Sequence, residues 1–298
     1  PDIPLNVSRS FLQSDASVKK ISAHISKKVS DKLEEMFKND REDFEKKWED
    51  IKIFIQYGSI TDEKFWDRAK SFFLLKNVEG KYFTLDEYKT YIETLQKDKN
   101  ETLVYLYAAD AEKQHIYIQS AQERGYDVLL MDSILDAHFI NMLEQKLEKS
   151  KFARVDADVI DKLIEKEDSL ISKLSEEERK KLSEIFENSV EKEKFTVVVE
   201  SLNDTDLPVM IMQNEFMRRF QDMERLSGQN GMYGRFEHYN LVVNDNNEVI
   251  VNLLKEEDAE KKSQMTQQLV DLALLSQNML TGEKLSQFVR RSLDFIAK

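Results

Sequence analysis

Apolar and polar positions along the 298-residue chain follow two different periods. Ile21, Ile25, Val29, Leu33 and Phe37 recur every fourth residue, which puts them on one helical face and predicts a helix over about 16–38 with a lysine-rich outer side. Phe44, Trp48, Ile51 and Phe54–Ile55 make a second stripe, with a break expected at Gly58, and Phe65, Trp66 and Ala69 make a third. Residues 39–72 therefore read as a small helical connector. No proline interrupts the chain between Pro4 and Pro208, so helices can run unbroken there.

From residue 72 the pattern changes. FFLL (72–75), TLVYLY (102–107), DVLLM (127–131) and KFARV (151–155) are short apolar or β-branched runs, and helix-like segments lie between them. Thr84-Leu-Asp-Glu87 is a capping box for the first helix; Asp110 is placed to cap the second, with Gly125 past its end; Asp132 or Ser133 opens the third. Alternating strands and helices indicate βαβ crossovers, hence a small three-layer α/β unit with a mainly parallel sheet over 73–155.

The charged stretch 156–194 looks like a linker, but Ser175-Glu-Glu-Glu178 is a second capping box backed by Leu182, Ile185 and Phe186, so a helix is expected there. A strand (195–199), a helix (about 212–226), a glycine-spaced loop (228–234), a strand (241–243) and helices over about 258–277 and 282–297 follow. The fold class expected is α/β plus α+β: a helical connector, a βαβ-type unit, and an α+β domain over 156–298 that ends in a helical pair.

Composition narrows the function. Seven Gly and three Pro are far too few for most β-rich architectures, and 41% hydrophobic residues are enough for sizeable cores. The absence of cysteine removes disulfides, thiolate metal sites and a cysteine nucleophile; four dispersed histidines give no support to a zinc site. A net charge of −13 opposes nucleic-acid binding as a property of the whole surface. The densest apolar stretch, LVDLALLSQNML (269–280), is shorter than the ~18 residues of a membrane span, and no signal peptide opens the chain. Pro1-Asp2-Ile3-Pro4 is not an initiator sequence and suggests a processed or engineered start.

Three features carry candidate chemistry. GQNGMYG (228–234) lacks the Lys-Ser/Thr of a phosphate loop and follows a helix rather than a strand, so it reads as a mobile loop. Five of the ten methionines fall within 210–232, and Met212, Phe216, Phe220 and Met223 share one expected helical face; that face is either a core stripe or an adaptable binding surface of the kind methionine suits. The last forty residues hold two apolar faces joined by Thr281-Gly282, which either pack on their own domain or complete a four-helix bundle with a twofold mate. Near the start, segment 1–38 is locally basic and carries Arg9, which is either a solvated charge or an arginine presented to a phosphate.

PLNVSRSFLQ (Pro4 to Gln13) closely resembles the catalytic loop of the ninety-kilodalton heat-shock protein chaperones, and the elements behind it follow the order of that family's middle and C-terminal domains. The likeness extends to the terminal LSQFVRRSLDFIAK and looks like the bacterial HtpG branch. It implies a chaperone fragment: the end of the larger middle-domain α/β part (1–38), a connector (39–72), the small α/β part (73–155) and a C-terminal dimerisation domain (156–298). Arg9 matches the arginine that reaches the γ-phosphate of ATP held by an N-terminal domain, and Gln13 the residue that helps hold its loop. ATP and Mg2+ would then be cofactors of the full-length protein, an ATPase, with the fragment alone binding and hydrolysing none.

The resemblance also implies partly folded clients as partners, held at Met212, Phe216, Met217, Phe220, His138 and Phe139. It implies a homodimer through Leu272, Leu275, Met279, Leu285, Phe288, Val289, Leu293 and Ile296, and a cytoplasmic protein that contacts neither nucleic acid nor membrane. Where HtpG relatives carry an acidic residue and a tryptophan, this chain has Ala137-His138, which weakens the middle-domain part of that client surface. The alternative from another class is a non-enzymatic scaffold or adaptor with one specific partner.

Overall fold

The computed structural model describes residues 16–166, 170–215, 218–219 and 238–296. Arg9, Gln13, Phe216, Met217 and Phe220 lie outside the described residues, as does the glycine-spaced loop. Two units are distinguished, one within residues 1–94 and 129–148, the other within 95–128 and 149–298.

In the first unit, helix α1 (Ala16–Asn39) follows the expected fourfold stripe, and α2 (Arg41–Thr61) starts at Asp40, whose carboxylate accepts from the Asp43 amide at 2.9 Å. The expected break at Gly58 does not occur: α2 runs on to Thr61, where Asp62 ends it and caps α3 (Glu63–Ala69). Gly58 serves packing instead, since a Cβ there would meet the Phe65 ring at 2.8 Å. Phe44, Trp48, Phe72, Phe73 and Phe139 form a continuous aromatic core, with Trp48 to Phe73 at 5.0 Å and Phe73 to Phe139 at 4.5 Å.

The run FFLL does not enter a parallel sheet. Strand β1 (Leu74–Lys76) pairs antiparallel with β2 (Tyr82–Thr84) in a hairpin that turns through Gly80 at φ +83°. The Thr84/Glu87 box then opens α4 (Leu85–Ile92) as expected. Only Leu129–Leu130 of DVLLM is extended (β4), and α6 (Asp136–Lys146) begins four residues beyond Asp132.

In the second unit, β3 (Leu103–Ala108) and β5 (Ser150–Arg154) are parallel, in register from Leu103↔Ser150 to Tyr107↔Arg154, which is the crossover pairing expected from strand–helix alternation. Helix α5 (His115–Glu123) starts later than Asp110 suggested, because Asp110 caps the preceding turn through the Glu112 and Lys113 amides; Gly125 follows at φ +76°. Helix α7 (Ile160–Leu163) is a single turn, and α8 (Glu176–Glu187) begins at its Ser175/Glu178 box.

A mixed sheet follows: β6 (Phe195–Glu200) runs parallel to the central β8 (Tyr239–Asn244), and β7 (Val209–Met212) pairs antiparallel on its other side. The helix expected from residue 212 is thus corrected at its start, because Met212 ends a strand. Period-2 alternation sends Val209 and Ile211 into a core with Leu182, Phe186, Leu241 and Val243, and turns Met210 and Met212 to the other face. Helix α9 (Glu248–Lys255) is capped by Asn247 and was not expected; α10 (Ala259–Ser276) and α11 (Gly282–Ile296) form the terminal pair.

Candidate functional site

Helices α10 and α11 carry the largest group of expected site residues. Phe288 is buried, Met279 and Leu285 are half-buried, and Leu272, Leu275, Val289, Leu293 and Ile296 are exposed, Leu293 at 60% and Ile296 at 82%. One helical face is therefore split, with part of it anchoring α11 to its own unit and part left open.

The anchoring is polar as well. Arg291 forms an ion pair with the buried Asp271 and donates from Nε to Gln268 Oε1 at 2.7 Å, while Gln268 donates to Ser292 Oγ at 2.8 Å. Breaking a pair with one member this buried is costly, because the remaining charge is stranded away from water. Lys284 pairs with Glu191 at 2.8 Å nearer the start of α11. The apolar residues that remain open are thus displayed on a fixed scaffold.

Of the residues expected to meet clients, His138 is exposed on α6. Phe139 and Met212 are not on a surface: Phe139 is wholly buried beside Phe73 and Trp66, and Met212 is buried at the end of β7.

Two polar clusters were not foreseen. The first ties the chain just ahead of residue 220 to the parallel strands. Glu215 accepts from Tyr107 Oη at 2.6 Å and from the Arg154 amide at 3.1 Å, and Arg219 donates to the Phe152 carbonyl at 2.6 Å. Buried Arg218 pairs with Asp156, which also accepts from Arg154 Nε at 2.8 Å. Burial alone would raise the Asp156 carboxyl, but the Arg218 and Arg154 guanidinium groups overcome it and hold it below its ordinary value. The second cluster is the buried run Asn244-Asp245-Asn246-Asn247. Asn246 donates to the Ile171 and Leu202 carbonyls, Asn247 to those of Asp204 and Asp206, and Asp245 accepts from Ser172 and Ser201. Only the unbroken polar run after the apolar LVV was a signal for it.

No group of three or more His, Asp or Glu among the described residues could hold a metal ion, and none of the described helices is long and apolar enough to cross a membrane.

Residues 1–293 match the family model described as Hsp90 protein. The chain belongs to the Hsp90 family. It is 41% identical to the chaperone protein HtpG of Bacteroides fragilis over 99% of this chain and 54% of that protein. Against HtpG of Porphyromonas gingivalis it is 42% identical over 98% of this chain and 53% of the relative, and against that of Clostridium perfringens 30% over 93% and 44%. The chain spans about half the length of the curated Hsp90 relatives it matches.

Proposed function

We propose that the chain is the client-holding and dimer-forming part of an ATP-driven Hsp90 chaperone. The observation that supports this best is the open apolar stripe on α10 and α11, with Leu272, Leu275, Val289, Leu293 and Ile296 exposed although each helix is firmly anchored. A twofold mate presenting the same stripe would bury it as a four-helix bundle. In this reading 1–38 ends the larger middle-domain part, 39–72 connects, 73–155 is the small α/β part and 156–298 is the dimerisation domain.

Clients would meet the surface around His138 and the segment holding Phe216, Met217 and Phe220, which starts from the Glu215–Arg218–Arg219 anchor. Arg9 and Gln13 would serve ATP and Mg2+ held by an N-terminal domain of a longer cytoplasmic protein, where a positioned guanidinium stabilises charge on the transferring phosphoryl group. Sedimentation equilibrium tests the central claim. A mass twice the 35.1 kDa of one chain at micromolar concentration is expected, and a monomer refutes the dimer.

A further inference from the structure

Within the second unit, α5, the turn before α7, the loop after β6 and strand β7 enclose a cleft of about 230 Å³. Its floor is apolar, built from Tyr117, Val159, Leu202, Met210 and Met212, and its rim carries three carboxylates, Glu123, Asp158 and Asp206. Among the described residues no lysine or arginine lines it.

The three carboxylates differ. Asp206 is neutralised from behind by Arg124, which donates to it at 2.7 Å and also pairs with Asp161. Glu123 is exposed and, among the described residues, accepts from the Gln119 amide at 3.1 Å. Half-buried Asp158 accepts the Val159 amide through Oδ1 and forms no ion pair among the described residues. Burial raises the Asp158 carboxyl above its ordinary value; the Val159 amide and the Lys162 charge oppose the rise, and the Glu200 and Glu165 charges add to it. A cation set against it would relieve both penalties.

We propose that this cleft binds a small amine: a monocation whose ammonium group meets Asp158 and Glu123 and whose short apolar body lies on Met210 and Met212. The volume is below the ~300–1,000 Å³ of sites for drug-sized ligands, so the body is a few carbons long. The acidic rim opposes an anion, and a neutral ligand would cover Asp158 further while bringing no charge to offset it, leaving the Val159 amide as its hydrogen-bond partner.

The test is a titration of the full 298-residue chain, labelled with 13C at its methionine methyl groups, with hexylammonium chloride, hexan-1-ol and hexanoate. Hexylammonium should shift the Met210 and Met212 methyl resonances saturably, with hexan-1-ol weaker by about tenfold or more because its hydroxyl donates to the same carboxylates but brings no positive charge to offset them. Hexanoate should shift neither. Asp158→Asn keeps the Oδ1 acceptor for the Val159 amide and should reduce hexylammonium binding to the level of hexan-1-ol. Glu123→Gln, on the exposed rim where folding is not at stake, should weaken it about threefold. Equal affinity for amine and alcohol, no response at Met210 and Met212, or unchanged amine affinity in both variants would overturn the proposal.

Discussion

Asp136 offers a test in which sign and size both follow from the geometry. It is buried in the first unit, where Oδ1 accepts from Gln56 Nε2 at 2.6 Å and Oδ2 from the Ser133 amide at 2.6 Å, and among the described residues no cation bonds it directly. Burial pushes its carboxyl from 3.8 up to about 6, against the lowering effects of the Ser133 and Gln56 hydrogen bonds and the Lys52 charge. The folded value lies above the unfolded one, so this group's contribution to stability is fully present below 3.8 and is lost as pH rises through about 6. Above that range the ionised carboxylate costs about 3 kcal/mol. In Asp136→Asn the amide oxygen accepts from Ser133, and a flipped Gln56 amide accepts from the new NH2, so every partner is retained. Between pH 7.5 and 4.5 the stability gap favouring the variant should narrow by about 2 kcal/mol. Urea unfolding followed by tryptophan fluorescence reads this unit alone, because Trp48 and Trp66, the two tryptophans of the chain, both lie in it. A gap that stays constant with pH refutes the buried-carboxylate account.

Two further outcomes are expected. Full burial of a leucine side chain is worth about 1.5–3 kcal/mol, and 60% of Leu293 remains open, so twofold burial contributes about 2–3.5 kcal/mol to the proposed dimer. Leu293→Ala should therefore weaken dimerisation by about 30-fold or more in sedimentation experiments; an unchanged dissociation constant would move the interface elsewhere. Arg218→Ala strands Asp156 with Arg154 as its remaining cation and should cost about 3 kcal/mol in urea unfolding, with faster amide exchange in β5. A loss below about 1 kcal/mol would mean that the buried pair contributes no more than a surface one.

Much of the helical framework was legible because it rests on local chemistry. The fourfold stripe of α1, the Thr84/Glu87 and Ser175/Glu178 boxes, and the apolar faces around Thr281-Gly282 each specify an element within a few residues. Strand β7 was hidden because Met212, Phe216, Phe220 and Met223 also fit helical spacing, and four apolar residues are too short a run for period to decide. Only the pairing of β7 with β8, a contact distant in sequence, separates Val209 and Ile211 from Met210 and Met212 by face.

The Asn244–Asn247 run was hidden for the opposite reason. Four consecutive polar residues read as a solvated turn, yet they are buried because the carbonyls of Ile171, Leu202, Asp204 and Asp206 need donors there. The same limit explains the two misplaced client residues. Residue type marks Phe139 and Met212 as apolar enough to meet a partner, but the choice between partner and core lies with neighbours remote in sequence: Phe73 and Trp66 for Phe139, the sheet for Met212. On α10 and α11 the choice falls the other way. Asp271 ties α11 to α10, Leu269, Val270 and Ala273 hold α10 in the core of its unit, and Leu293 and Ile296 stay exposed among the described residues. An apolar stripe held open on anchored helices is the feature on which the proposed dimer rests.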